Sequence, residues 1–239
     1  LLEDAWTYGG NATFYLPFGA SSNTYIGLDF FGTSFNEQMV VDYENIANTI
    51  DFYALDGKRS FSRSYQIDFN VEPVRRLTVS ATFRYTDARI EMKGRGLTEK
   101  PLTSRYKGVL NLQYATNLNK WVFDFTASIN GKSRVYNFME DLRDENGKLL
   151  YKDGYSPAYP LLYLQVTKRF KGIDIYLGAE NLTNFRQKNL LVGTPMEETA
   201  GHGGMAAVNT ALPDFDASAV WGPIMGTKVY IGLRYTLWK

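Results

Sequence analysis

The sequence contains no cysteine and only one histidine. The lack of cysteine excludes a disulfide scaffold and thiolate metal sites, and it leaves the redox compartment undetermined. No apolar run approaches the roughly 18 residues that a membrane-spanning helix needs. Acidic and basic side chains nearly cancel, at a net charge of +1, so nothing favours a nucleic-acid partner. The opening LLEDAWTYGG lacks the basic and apolar regions of a signal peptide, so a secreted protein would begin here as mature or truncated sequence.

The composition that remains is 44% hydrophobic and 15% aromatic, which argues against disorder and permits one large domain over residues 1–239. Its clearest pattern lies at the end, where residues 228–238 read KVYIGLRYTLW. Odd positions are apolar, whereas even positions include the charged Lys228 and Arg234. Because a strand turns successive side chains to opposite faces, this alternation predicts a strand with one apolar and one polar face.

Most of the chain repeats this alternation, which predicts about nine strands and no helix. The other predicted strands are residues 6–16, 25–43, 63–72, 77–86, 106–115, 121–130, 162–167 and 173–180. Residues 25–43 change parity part-way, so we interpret them as one long strand with a bulge near residues 32–36. The fold class is therefore all-β.

The links between these strands alternate in length. Short links at residues 17–23, 73–76, 116–120 and 168–172 alternate with long ones at 44–60, 88–104, 133–160 and 188–223. Short turns at one end and long loops at the other are typical of an antiparallel transmembrane β-barrel. A soluble sandwich would scatter its loop lengths and bury its apolar faces in a shared core.

The four tryptophans support two aromatic girdles. Trp121 and Trp238 lie at short-turn ends, and Trp6 and Trp221 lie near long-loop ends. If the long loops face outside, the last strand ends in the periplasm, and about nine strands then place the start of the chain at the outer face. Single-chain bacterial barrels have an even number of strands, so we expect this chain to be a piece of a larger barrel.

Four segments resemble the C-terminal part of TonB-dependent outer-membrane receptors of the Bacteroides type. They are SNTYIGLDFFGTSFNEQMVVDYE (22–44), YSPAYPLLYLQVTKRF (155–170), GAENLTNFRQ (178–187) and FDASAVWGPIMGTKVYIGLRYTLW (215–238). The resemblance implies a barrel of about 22 strands with an N-terminal plug, of which this chain supplies about the last nine. The plug and the TonB box would lie outside the chain. The end departs from the family pattern, because Leu237 holds the lipid-facing parity, Trp238 the other, and Lys239 follows.

The resemblance also implies a function, which is active import across the outer membrane of a Gram-negative bacterium. The substrate would be a scarce nutrient such as a metal complex, a corrinoid or a glycan. The implied partners are outer-membrane lipids, the rest of the barrel and its plug, TonB–ExbB–ExbD acting through the plug, and a surface lipoprotein lid. The alternative is a small autonomous barrel acting as a passive pore, adhesin or anchor, and the odd strand number argues against it.

Catalysis finds little support in the sequence, and we predict neither an enzyme nor a cofactor. His202 lies between glycines in the longest loop, which would not hold a general base in place. The carboxylates on the polar parity, including Asp68 and Asp124, are those of a wet lumen wall. Met196, His202 and Met205 are weak candidates for a soft metal site, because their spacing follows no fixed ligand pattern.

The loop at residues 133–160 holds a cluster of aromatic residues and an Asn146-Gly147 pair that predicts a hairpin turn. The candidates for substrate or partner contact are Tyr136, Phe138, Tyr151, Tyr155 and Tyr159. Such rings can stack on a ring-bearing ligand or on a partner lipoprotein. They can equally brace the loop or belong to the outer girdle, and the sequence leaves both readings open.

Overall fold

The computed structural model describes residues 3–21, 23–44, 50–140, 142–143, 146–187 and 220–237. The strands are β1 (Asp4–Tyr15), β2 (Tyr25–Glu37), β3 (Met39–Asp42), β4 (Asp51–Ala54), β5 (Ser60–Val74), β6 (Leu77–Met92), β7 (Gly96–Glu99), β8 (Tyr106–Ala115), β9 (Trp121–Asn130), β10 (Tyr159–Arg169), β11 (Ile173–Glu180) and β12 (Lys228–Tyr235). One helical turn, α1 (Asn137–Glu140), and two 3-10 turns complete these ranges. Across the described ranges, no helix has the length and apolarity to cross a membrane.

Nine of these strands form one antiparallel sheet in the order β1-β2-β5-β6-β8-β9-β10-β11-β12. Neighbours in the chain are neighbours in the sheet, and β7 extends the hairpin of β6. The all-β, antiparallel prediction and its nine wall strands are confirmed. In the described part of the chain β1 and β12 do not pair with each other, so the sheet is open there.

Several strand ends differ from the predictions by one to three residues, as for β10, which spans Tyr159–Arg169 rather than 162–167, and two differences change the pairing of strands. Residues 25–43 are not one strand, because the backbone leaves the main sheet at Gln38 and β3 pairs with β4 in a separate two-stranded sheet. The predicted bulge is present, since the register passes from Asp4 opposite Glu37 to Ala5 opposite Phe35 and leaves Asn36 unmatched. Residues 88–104 are not a simple loop, because β6 continues to Met92 and turns back as β7. Pairing outside the main sheet therefore interrupts the first predicted strand and extends the second past its predicted end.

The apolar face of the sheet packs against nothing in the described residues. Its register brings Leu28, Ile67 and Phe83 into adjacent positions on β2, β5 and β6. Phe83 is 46% exposed, and Ile231 on β12 is 76% exposed. A soluble sandwich would bury these side chains in a shared core, so an exposed face of this kind is the one expected of a wall that contacts lipid.

A row of aromatic residues marks the long-loop end of this apolar face. Phe30, Tyr65, Tyr85 and Tyr106 are successive cross-strand partners on β2, β5, β6 and β8. The rings of Phe30 and Tyr65 lie 5.0 Å apart. We call this row the tyrosine girdle, because its composition is the one expected at a membrane interface, and a count of tryptophans alone did not predict it.

The tryptophans follow the girdle prediction only in part. Trp6 and Trp121 are exposed on the apolar face near opposite ends of the wall. At the short-turn end, the Lys168 ammonium lies 4.3 Å from the centre of the Trp121 ring, an arrangement suited to an interface. Trp221 does not belong to a girdle, because it packs among loop side chains, and Trp238 lies outside the described residues.

Hydrogen-bonded side chains cover the opposite face. Arg84 Nε donates to Gln66 Oε1 at 2.8 Å, and Gln113 Nε2 donates to Asp124 Oδ1 at 2.7 Å. Near the short-turn end the same face carries a polar cleft of about 290 Å³ lined partly by Asp124, Asp174 and Arg234. The face that the sequence pattern predicted to be polar is therefore the one on which side chains of neighbouring strands form hydrogen bonds with one another.

Two tyrosine rings lie directly over glycines on β11 and β12, and this contact predicts a test of packing. A Cβ at Gly232 would meet the Tyr176 ring, whereas a Cβ at Gly10 would have no heavy atom within 4 Å. We expect Gly232→Ala to destabilise the wall by about 1–3 kcal/mol, because the ring must leave its position. Gly10→Ala should change stability by less than about 1 kcal/mol. The measurement is denaturant unfolding of each full-length variant in vesicles, and equal effects would contradict the packing argument.

Candidate functional site

The long-loop end of the wall carries a packed group of side chains that we call the loop cluster. Its buried members are Val135, Tyr136, Met139 and Tyr151, with Tyr43, Leu102, Leu142, Leu150 and Trp221 packed against them. Val135 and Met139 are fully buried. The cluster therefore joins segments that follow β3, β7, β9 and β11, and it forms a small hydrophobic core outside the main sheet.

Backbone hydrogen bonds hold these segments in register. Leu102 N donates to Arg134 O at 2.8 Å, and Val135 N donates to Gly154 O at 2.9 Å. The turn predicted at Asn146-Gly147 is present, since Gly147 has a φ of 76° and Leu150 N donates to Leu142 O at 2.8 Å. Glycine suits this position because a positive φ is open to it without a steric penalty.

Beside the cluster, two acidic side chains bind two arginines in a group that we call the ion-pair hub, formed by Asp42, Glu44, Arg95 and Arg134. Arg95 Nη1 and Arg134 Nη2 both lie 2.7 Å from Glu44 Oε2. Arg95 Nη2 is also 2.7 Å from Asp42 Oδ2. The Asp42 and Glu44 side chains have no exposed area. The hub thus ties the β3, β6–β7 and β9 loops together through charge-assisted hydrogen bonds.

The electrostatics of the hub favour its charged form. Burial by itself would raise the pKa of the Asp42 carboxyl, but the hydrogen bond from Arg95, the Glu44 amide and the Arg95 charge hold that pKa below its ordinary value. Burial would likewise lower the pKa of Arg95, and the two carboxylates raise it instead. Both groups are therefore ionised at neutral pH, and the buried charges compensate each other.

The lowered pKa of Asp42 predicts an acid-sensitive loop cluster. Because the folded value lies below the ordinary value of 3.8, the stabilisation is fully present above pH 3.8 and is lost as the pH falls through the folded value. We expect hydrogen exchange at the Val135 amide to show constant protection from pH 7 to about 4 and a decline at lower pH. An Asp42→Asn variant should lose this decline, whereas a decline that begins near pH 6 would contradict the assignment to Asp42.

Three of the five aromatic candidates pack against other side chains of the loops. Tyr136 and Tyr151 belong to the core of the loop cluster, and the Tyr151 hydroxyl accepts a hydrogen bond from Trp221 Nε1 at 3.0 Å. Tyr159 stacks on Phe185 with ring centres 4.6 Å apart. These side chains touch other parts of the chain and position the loops. Their role toward a substrate or partner stays a prediction.

Tyr155 and Phe138 have different surroundings. The half-buried Tyr155 hydroxyl accepts a hydrogen bond from Arg105 Nη2 at 2.6 Å and donates one to Glu99 Oε2 at 3.1 Å. Phe138 stacks on Tyr136 with ring centres 5.3 Å apart and is 47% exposed. Phe138 is therefore the most exposed of the five candidates, and its exposed ring is the one that could stack on a ring-bearing ligand.

The weak metal candidates Met196, His202 and Met205 lie outside the described residues. In the ranges that the structure describes, no group of three or more histidine, cysteine, aspartate or glutamate side chains could hold a metal ion. The two carboxylates of the ion-pair hub are not free to bind a metal ion, since guanidinium and backbone N–H groups already donate hydrogen bonds to them. What this arrangement does chemically is to fix the positions of the loops.

The sequence pattern did not predict the ion pairs of the hub. Asp42 and Arg95 are separated by 53 residues, and Glu44 and Arg134 by 90. Charged residues in long loops are ordinarily solvated, and no local spacing links these pairs. Their one signal in the sequence is that an acidic pair flanks Tyr43 while two later loops each contain arginines. That signal is too common to select them.

No family model and no curated protein matches the chain. Among solved structures, the ferric enterobactin receptor PfeA from Pseudomonas aeruginosa matches 98% of the chain at a TM-score of 0.56 and 13% identity. The ferric-catecholate import receptor Fiu from Escherichia coli K12 matches 77% of the chain at a TM-score of 0.53 and 15% identity. The chain spans 31% of that PfeA chain and 24% of the Fiu chain.

These matches confirm the fold predicted from the sequence motifs. The described sheet has the fold of part of the barrel of TonB-dependent outer-membrane receptors. The matched proteins are transport receptors rather than enzymes. The Bacteroides-type variant stays a prediction.

Proposed function

We propose that this chain is a section of the barrel wall of an active outer-membrane importer, and that its loop cluster forms part of the outer mouth. The observation that carries the proposal is the open sheet with an exposed apolar face, a tyrosine girdle and a hydrogen-bonded polar face. These are the features of a wall with lipid on one side and a wet lumen on the other. Residues 1–239 then act as one structural unit of that wall.

The edges of the sheet support the need for further wall strands. Within the described residues, β1 pairs only with β2, and β12 pairs only with β11. Unpaired backbone groups cannot face hydrocarbon, because each one loses several kcal/mol of hydrogen bonding there. Both edges would therefore pair with other strands of a larger barrel. A plug would contact the polar face, and TonB–ExbB–ExbD would act through that plug.

The substrate class follows only from the matched receptors. Fiu is named as a ferric-catecholate import receptor and PfeA as a ferric enterobactin receptor, so a ferric chelate is the first substrate to test, ahead of a corrinoid or a glycan. In this proposal the chain binds and admits the substrate without covalent chemistry. Phe138 is the candidate contact at the mouth, and a surface lipoprotein is a candidate lid. The buried aromatic residues keep the surrounding loops in place.

The experiment is uptake by cells that express the full-length protein. Iron-limited cells would receive individual radiolabelled ferric siderophores, and parallel cultures would be treated with a protonophore or lack TonB. We expect saturable uptake that disappears when either energy source is removed. Phe138→Ala should weaken apparent substrate affinity without changing the amount of folded protein, and Leu149→Ala, which changes another exposed loop side chain, serves as the matched control.

A passive pore or an anchor would behave differently. Uptake that persists without TonB and grows linearly with substrate concentration would contradict the proposal. Swelling of liposomes that contain only residues 1–239 would also contradict it, because it would show that this sheet closes into a pore without other strands.

A further inference from the structure

We propose that Arg63 and Arg89 form a binding site for the phosphate groups of membrane lipid headgroups, at the outer border of the wall. The inference rests on the proposed placement in an outer membrane. It concerns two cations that face the lipid side rather than the lumen, and the transport function does not use them.

The strand register places both arginines on the apolar face. On β5, residues 63, 65 and 67 share one face, and Arg63 lies opposite Asp87 just as Tyr65 lies opposite Tyr85. Arg89 lies opposite Phe61 on the same face. Arg63 also lies opposite Gly32 on β2, and the Tyr8 ring lies over that glycine on the same face. Both guanidinium groups therefore lie on the lipid-facing side. Arg63 is the first residue of that face beyond the tyrosine girdle on β5, and Arg89 is the second on β6.

The distance from the girdle matches the headgroup layer. Two residues along a strand advance about 6.8 Å, which a strand tilt of roughly 40° reduces to about 5 Å along the membrane normal. The headgroup region extends about 5–8 Å beyond the hydrocarbon on each side of a bilayer. Arg63 thus begins at the headgroup level. By the same geometry, the Arg89 backbone lies about 10 Å beyond the girdle along the membrane normal. From there its long flexible side chain can reach back to the headgroup level.

The contacts of the two arginines leave donors for a ligand. Arg89 Nε donates to Asp87 Oδ1 at 2.8 Å, and the Arg89 side chain remains 42% exposed. The guanidinium carbon of Arg63 lies 4.7 Å from the centre of the Phe61 ring, and within the described residues this guanidinium group forms no ion pair. Nearby Glu99 is already paired with Arg105. Glu99 is also the cross-strand partner of Arg89. The two carboxylates of Asp87 and Glu99 therefore face three arginines, and a net positive charge remains.

A phosphate group suits this arrangement better than an uncharged headgroup does. Guanidinium groups bind phosphate through parallel N–H donors, and two of them on diagonal positions of adjacent strands can share one phosphate or bind two neighbouring ones. The adjoining apolar face would hold the acyl chains of the same lipid. We therefore commit to a lipid phosphate rather than a free anion as the occupant.

The test compares lipid retention by the full-length protein purified in detergent. Native mass spectrometry would measure binding of bisphosphorylated lipid A and of the same lipid with its phosphates removed. We expect Arg63→Gln/Arg89→Gln to bind the phosphorylated lipid at least tenfold more weakly and the dephosphorylated lipid unchanged. The matched control is Arg84→Gln, which removes an arginine from the polar face of the same strand and should bind both lipids like the wild type.

Two further measurements keep the outcomes distinct. Heat-modifiable electrophoretic mobility would establish that each variant is folded, and Arg63→Lys/Arg89→Lys should retain part of the binding because it keeps the charge without the planar fork. Equal loss in the Arg84→Gln control, unchanged binding in the double glutamine variant, or full displacement by millimolar inorganic phosphate would overturn the lipid site. Failure of energised uptake with lipid binding intact would instead overturn the proposed transport function alone.

Discussion

Replacing Glu44 with glutamine is expected to loosen the loop cluster by about 3–5 kcal/mol, because removing one partner of a buried ion pair leaves the other charges uncompensated. Glu44 has no exposed side-chain area, and Arg95 and Arg134 are 20% and 12% exposed. The partial exposure of the arginines admits some solvent screening, which places the expected effect at the lower end of that range. The loops would then open without unfolding the wall.

Hydrogen exchange of the full-length protein measures this opening. A loss of about 3 kcal/mol corresponds to exchange roughly 100-fold faster at the Leu102 and Val135 amides, which bridge the loops. The matched control is Glu99→Gln, whose partner Arg105 is 43% exposed, and a surface pair contributes about 1 kcal/mol or less. Similar acceleration in both variants, or none in Glu44→Gln, would mean that the hub does not hold the loops.

The second large effect concerns a charge on the lipid-facing side of the wall. Phe83→Lys is expected to destabilise the protein in vesicles by about 2–4 kcal/mol relative to Phe83→Met, a residue of similar length without charge. Phe83 lies two residues from the girdle residue Tyr85 on the same face of β6, toward the short-turn end of the apolar face. Leu112→Lys on β8 should behave in the same way. The measurement is denaturant unfolding of each variant after reconstitution.

The neighbouring position supplies the control for the face assignment. Thr82 Oγ1 donates a hydrogen bond to Asp68 Oδ1 at 2.5 Å on the polar face. A lysine there would place its ammonium group beside that carboxylate in water, so Thr82→Lys should change stability by about 1 kcal/mol or less. Asn111→Lys is the equivalent control on β8. If the two faces proved equally sensitive to charge, neither of them would be facing hydrocarbon.

The wall strands could be predicted from the sequence because their signal is local. β8 and β9 begin and end at the predicted residues, and β11 spans residues 173–180 as expected. In a two-faced strand every second side chain has the same surroundings, so the pattern appears within ten residues of sequence. The boundaries failed where pairing with a distant segment lengthened or interrupted a strand, at Gln38 and between Met92 and Gly96.

The alternation of side chains by itself determined that this protein is a two-faced antiparallel wall, with a parity that assigns Phe83 outward and Thr82 inward. Only the tertiary structure decided what the loops do. It placed Tyr136, Tyr151 and Trp221 in one core and joined Glu44 to Arg134 across 90 residues of chain. The physical reason is that strand faces follow from backbone geometry within a single segment, whereas loop contacts depend on how the whole wall brings its long connections together.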